Sequence, residues 1–195
     1  MPTDSKPPTP PAVLDAALQS WGNAGRQIVF PMSGQSMEPF LKAGDQLLIT
    51  HGREHIRVGT LVAYRQDDKL IVHRLLHVFD RSREPMMLLR GDNNNYPDLL
   101  IPLDRLIGRV SAVRRGDRSY TLETPLWRGA SRLIAACYRW PITLGQWAGA
   151  ARRRLFPNRP VSDFGRSYRL SLRVFTIPAR FLTFMLWKFA RYDRI

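Results

Sequence analysis

From residue 27 to residue 122 the chain keeps returning to one pattern: a short β-branched and apolar run that stops at Gly, Asp, Asn or Pro. Such runs occupy residues 27–30, 46–50, 60–64, 69–79, 86–90, 106–114 and 120–122. Between them stand Ala43-Gly44-Asp45, Val58-Gly59, Asp67-Asp68, Gly91-Asp92-Asn93-Asn94-Asn95 and Gly116-Asp117. Asp67-Asp68 reads as a hairpin turn between the third and fourth runs. Almost no room is left for helix between strands, so the expected class is mainly β, a coiled-sheet barrel or sandwich. The 15 prolines favour turns and strand edges over long helices in the same way.

The flanks differ from this centre. Residues 1–11 are polar and Pro-rich and read as a disordered leader, without the basic and apolar regions of a secretory signal. Residues 12–22 read as a short helix with Val13, Ala16, Leu18 and Trp21 on its apolar side, closed by Gly22-Asn23. Residues 12–125 are then one β domain, and residues 126–195 a helical basic extension. Charge marks that boundary. Residues 1–125 hold 16 Lys/Arg and 14 Asp/Glu, whereas residues 126–195 hold 14 and 2. Within 171–192, Arg173, Arg180, Lys188 and Arg191 return to one side of a helix, and Phe175, Leu182, Met185, Leu186 and Phe189 cover the rest. No uncharged apolar run reaches the ~18 residues of a spanning helix. Cys137 is the single cysteine, which excludes an internal disulfide and a cysteine-built metal site, and it reads as a small packed residue. Neither cofactor nor metal is expected.

The chemistry-bearing candidates lie in the β part. The turn Pro31-Met32-Ser33-Gly34-Gln35-Ser36-Met37-Glu38-Pro39 holds a serine between Gly and Pro, and His73 sits on the long fourth run. A serine hydroxyl becomes a nucleophile only with a base in hydrogen-bond reach and donors for the oxyanion that forms. Ser36 with His73 supplies the first requirement; backbone N–H groups of the turn, with the Ser33 hydroxyl, are candidates for the second. His77 lies on the same run and reads as structural. His51 and His55 fall in a polar loop, and Lys69 borders the Asp67-Asp68 turn at the surface. No compact metal-ligand spacing is present.

The order Ser36-Met37-Glu38-Pro39, Gly44-Asp45, Val58-Gly59-Thr60-Leu61-Val62, Val72-His73-Arg74 and Gly91-Asp92-Asn93-Asn94, over roughly residues 29–113, resembles the signal peptidase I family, within the wider S24/S26 group that includes LexA-type self-cleaving repressors. His73 stands before Arg74 where the bacterial branch has lysine, so the likeness is to the archaeal and endoplasmic-reticulum branch. The resemblance implies a coiled β-sheet barrel and a serine endopeptidase acting on a precursor or signal peptide. It implies Ser36 as nucleophile, His73 as general base, and Asp92 or Asp98 as the carboxylate that holds the imidazole. Small residues near the scissile bond would be preferred. One more residue separates Ser33 from Ser36 than in the common Ser-Gly-Ser-Met form, and residues 126–195 match nothing familiar in that family.

Three functions compete. The first is the endopeptidase, with a polypeptide substrate. The second is a LexA-like self-cleaving regulator, for which Ala24-Gly25 would be the internal site. The third is a non-catalytic peptidase-like scaffold whose basic tail binds nucleic acid or membrane. The apolar periodicity of the tail suits lipid better than nucleic acid, so the expected location is the cytoplasmic face of an anionic membrane, peripheral, with the cytoplasm as second choice.

Overall fold

The computed structural model describes residues 27–67, 69–80, 84–155, 164–189 and 193–194. The expected leader and the helix at 12–22 lie outside them. Among the described residues the chain is mainly β, with nine strands in one sheet and two long helices. The strands are β1 (Gln27–Pro31), β2 (Gln46–His51), β3 (Leu61–Gln66), β4 (Lys69–Phe79), β5 (Met86–Arg90), β6 (Ile101–Pro102), β7 (Leu106–Arg115), β8 (Arg118–Thr121) and β9 (Asp193–Arg194). Helix α1 spans Pro125–Leu155 and α2 spans Phe164–Phe189. The sheet order is β1-β2-β7-β3-β4-β5-β6, with β8 beside β7 and β9 beside β8. The pairings are antiparallel throughout.

Each turn cluster does what its residues dictate. Asp67 takes φ 53°, a left-handed conformation that Asp tolerates, and closes the hairpin that pairs Gln66 with Lys69. Gly44 has φ 90°, and its N–H donates to the Met32 carbonyl (2.8 Å). Asp45 completes that turn: its carboxylate accepts from the Lys42 N–H at 2.8 Å and is gripped by Arg115 at 2.7 and 2.6 Å.

Strands β3 and β4 are buried on both faces, because the sheet coils and carries a core on each side. Leu61, Ala63, Val72 and Leu76 face the larger core with Met37, Phe40, Leu47 and Val113. Val62, Tyr64, Leu75, Met87 and Leu89 form the smaller one. The helices join the larger core. Trp127, Ala130, Ile134 and Tyr138 of α1 and Ala179 and Leu186 of α2 are buried in it. Trp127, Trp187, Phe40 and Tyr120 pack edge to face, with ring centroids 4.6–6.5 Å apart. Cys137 packs partly buried against this core, and burial pushes its thiol pKa up. The second helix begins at Phe164, seven residues before the expected start, and Pro178 lies inside it. No helix among the described residues is long and apolar enough to cross a membrane.

Candidate active site

Ser36 is held by its neighbours. Met37, Phe40 and Leu41 are fully buried, which anchors the turn to the larger core. Within the turn Glu38 N–H donates to the Gln35 carbonyl (3.2 Å) and Leu41 N–H to that of Met37 (3.0 Å). The Ser36 side chain is left half-buried at the edge of this plug.

Strand alternation then sorts the residues around it. His73 and Arg74 are adjacent on β4 and so project to opposite faces. On one face, His73 Nε2 lies 3.1 Å from Ser36 Oγ and its Nδ1 lies 2.5 Å from Asp98 Oδ2. On the other, Arg74 grips Asp92 in a bidentate pair, Nε at 2.8 Å and Nη2 at 2.6 Å. Of the two aspartates, Asp98 therefore meets the histidine and Asp92 does not. Arg74 also donates to the Gly59 carbonyl (3.1 Å) and lies over the Phe40 ring at 4.6 Å. Burial by itself would lower the Arg74 pKa; the Asp92 charge and hydrogen bonds outweigh it, and the net direction is upward.

With Nδ1 protonated and donating to Asp98, the Nε2 lone pair faces the Ser36 hydroxyl. His73 is 6% exposed, so this ring is shielded from bulk water. Tyr64 completes the cluster, and sequence reading passed it over. Its hydroxyl donates to Asp98 Oδ2 at 3.3 Å and lies 3.3 Å from His73 Nδ1. The hairpin at Asp67 puts Val62 opposite His73, which leaves Tyr64 on the diagonal, within reach of a long side chain. That register was the signal for it.

A second strap ties the serine turn to the loop after β5. Asn93 N–H donates to the Ser36 carbonyl (2.8 Å), and its side-chain amide donates to the Gln35 carbonyl (3.2 Å). Gly91 permits this approach, because a Cβ there would lie 2.6 Å from the Ser36 carbonyl oxygen. Gly91→Ala is expected to push the serine turn outward and to destabilise the fold by about 1–3 kcal/mol through overpacking. A melting curve checks this, and an unchanged midpoint would refute it. The helices hold the same loop. The Tyr138 hydroxyl donates to the Asp92 carbonyl (3.2 Å), and Arg180 Nη2 donates to Asn93 Oδ1 (3.0 Å). Arg90 lies over the Tyr138 ring at 4.2 Å.

Ser33 is exposed, three residues before Ser36 in the same turn. The remaining candidates stand apart. His77 stacks edge-on against Phe79 at 4.6 Å. His55 and Lys69 are exposed, and His51 is half-buried. Among the described residues no group of three His, Cys, Asp or Glu is placed to hold a metal ion.

The buried phenols carry a pH signature. Burial first, then the Asp98 charge, raises the Tyr64 pKa; burial and Asp92 raise that of Tyr138. Above pH ~10 the unfolded chain releases tyrosine protons that the folded chain keeps. The stabilisation is whole below that pH and lost above it. Melting temperatures are expected to fall above pH ~10 and to fall less in Tyr138→Phe; an identical slope in both proteins would contradict this.

The family model described as Peptidase S24-like matches residues 13–111. The signal peptidase complex catalytic subunit SEC11 of Yarrowia lipolytica is 37% identical over 79 residues, covering 40% of this chain and 45% of that protein. The subunit of the same name from Candida dubliniensis is 35% identical over 95 residues, covering 45% and 57%. That of Lachancea thermotolerans is 39% identical over 89 residues, covering 44% and 52%. The chain spans about half the length of the curated relatives it matches.

Proposed function

The chain belongs to the S24-like peptidase family, and from that we propose a serine endopeptidase of the signal peptidase kind, cleaving a precursor or leader peptide with Ser36, His73 and Asp98. The observation that carries this reading is the line Ser36 Oγ–His73 Nε2–His73 Nδ1–Asp98 Oδ2, at 3.1 and 2.5 Å. In the first half-reaction His73 Nε2 takes the hydroxyl proton as Ser36 Oγ attacks the scissile carbonyl carbon. The imidazolium so formed is stabilised by Asp98. Collapse of the tetrahedral intermediate expels the amine, which receives the proton from Nε2–H. Water, deprotonated by the same nitrogen, then releases the acyl group from Ser36. Oxyanion donors would be the Ser36 backbone N–H and the Ser33 hydroxyl. Tyr64, kept protonated by its surroundings, would help orient Asp98.

An extended peptide suits the approach to this site. Strand β1 ends the sheet order, and its last residue, Pro31, stands five positions before Ser36. A peptide added along that edge would run toward the nucleophile. The test is processing of a peptide library by the whole chain, with products mapped by mass spectrometry. Cuts that vanish with Ser36→Ala and follow small residues support the reading; cuts that persist refute it.

The helices would hold the enzyme at an anionic membrane surface, on its cytoplasmic face. Leu126, Leu133, Trp140, Leu144 and Trp147 of α1 and Ile177, Phe181 and Phe184 of α2 are exposed. They sit within a segment holding 14 Lys/Arg against 2 Asp/Glu. Basic residues near anionic lipid contribute about 1 kcal/mol each. Co-sedimentation of the full chain with vesicles containing phosphatidylglycerol is expected and should weaken several-fold in a Trp147→Ala/Phe181→Ala variant. No sedimentation at physiological salt would reject surface attachment.

A further inference from the structure

On the flank of the sheet where α1 meets β3 and β7 lies a cavity of about 320 Å³, lined by neither Ser36 nor His73. Val58, Leu61, Val110 and Leu122 line its apolar part, and Thr60 and Ser131 add hydroxyls. Its charged lining is one-sided: Arg57, Arg109, Arg128 and Arg132, with His55, against the single carboxylate of Glu123. Glu123 is already engaged, accepting from Arg109 Nε at 2.8 Å, while Arg109 Nη1 donates to the Glu54 carbonyl at 3.1 Å. Arg109 is thereby fixed in the wall, its side chain 14% exposed. Arg57, Arg128 and Arg132 are exposed at the cavity, and among the described residues no ion pair engages them. Arg128 and Arg132 stand four positions apart on α1, a like-charge spacing that weakens a helix.

A close backbone contact forms part of the cavity wall. Gly59 has φ 95°, and a Cβ on it would lie 2.7 Å from the Ser131 backbone. Helix α1 therefore rests directly on the turn before β3, and Arg128 and Arg132 reach the same space as Arg57. Folding gains nothing from adding three more guanidiniums around a carboxylate that Arg109 already satisfies. A ligand with several negative charges gains a great deal, because planar guanidinium forks match tetrahedral oxyanions. The volume lies at the small end of ligand pockets.

We propose that this cavity is a phosphoryl-binding site, distinct from the Ser36 centre, with Arg57, Arg128 and Arg132 as ligands and Arg109 as a fixed wall. The phosphoryl group has two available sources: a free phosphate compound, or the headgroup of an anionic phospholipid. Leu133, exposed beside Arg132, would lie next to the chains of such a lipid.

Calorimetric titration of the full chain with inorganic pyrophosphate at physiological salt tests the site, in parallel with vesicles of phosphatidylglycerol and of phosphatidylcholine. The decisive comparison is Arg128→Gln/Arg132→Gln against Arg139→Gln/Arg154→Gln, which removes the same charge from α1 outside the cavity. Saturable binding that weakens tenfold or more in the first pair, and less than twofold in the second, is expected. If pyrophosphate shows that pattern the source is a free phosphate; if only phosphatidylglycerol vesicles do, it is a headgroup. Arg57→Gln provides a variant outside the helix, with a several-fold loss expected. Equal weakening in the two pairs, or no binding of either probe, would overturn the proposal.

Discussion

Ser36→Ala is expected to yield a folded protein whose peptide cleavage has dropped by about 10⁴-fold or more in kcat. Folding should survive because the hydroxyl's bond is to His73 at 3.1 Å. The parts of Ser36 that organise its surroundings are backbone: its carbonyl accepts from Asn93 and touches Gly91. The turn is anchored by Met37, Phe40 and Leu41, none of which changes. His73→Ala should lose a similar amount, and the double variant little more, since the two groups act as one unit. Asp98→Asn should fall by orders of magnitude as well, because an amide favours the wrong imidazole tautomer. Asp92→Asn should act mainly through stability. Turnover of a defined precursor peptide, with circular dichroism for fold, decides among these outcomes. Full activity in Ser36→Ala or His73→Ala would remove the assignment.

Arg74→Ala is expected to be the most destabilising single exchange among the residues of this site, at about 3–5 kcal/mol. Both partners of the Arg74–Asp92 pair are essentially out of water, with side chains 0% and 1% exposed. Removing the guanidinium strands a buried carboxylate, leaves the Gly59 carbonyl without its 3.1 Å donor and opens space over Phe40. For a chain of this size each kcal/mol is worth about 2–4 °C in melting temperature, so a drop of roughly 10 °C is expected. Arg74→Met/Asp92→Leu should lose much less than the two single losses combined, because neither charge is then left alone. Urea titrations of the unaltered protein, Arg74→Met, Asp92→Leu and the double variant supply the cycle, and strict additivity would show that the pair is not coupled.

Turn chemistry made most of the sheet legible. Strands at 69–79 and 86–90 were expected at those limits, because Asp67-Asp68 and Gly91-Asp92 end runs with no other way to stop. The two-residue strands β6 and β9 carry too little pattern to be read, and they exist only through pairing with β5 and β8. Ser36 and His73 were nameable from the order of short motifs. The choice between Asp92 and Asp98 was not, since it depends on which carboxylate a buried arginine takes first. The helices were least legible. In 171–192 the basic positions share one side and apolar ones cover the rest, yet Leu186 is buried and Trp187 partly buried against the core, while Phe181 and Phe184 stay exposed. Periodicity shows that a helix has an apolar side; it does not show which part of that side a sheet will cover.

The strap from Arg180 through Asn93 to the Ser36 carbonyl has a thermodynamic consequence. One end belongs to the helix facing outward with Ile177 and Phe181, and the other to the turn bearing Ser36. Whatever reorients α2 against the sheet must strain or relax that chain of two hydrogen bonds. Reciprocity then applies: if docking of the helices on a surface changes affinity for a peptide by some factor, the peptide changes affinity for the surface by the same factor. If a filled surface tightens the hold on a peptide, a filled cleft tightens the hold on the surface equally; if it loosens the one, it loosens the other.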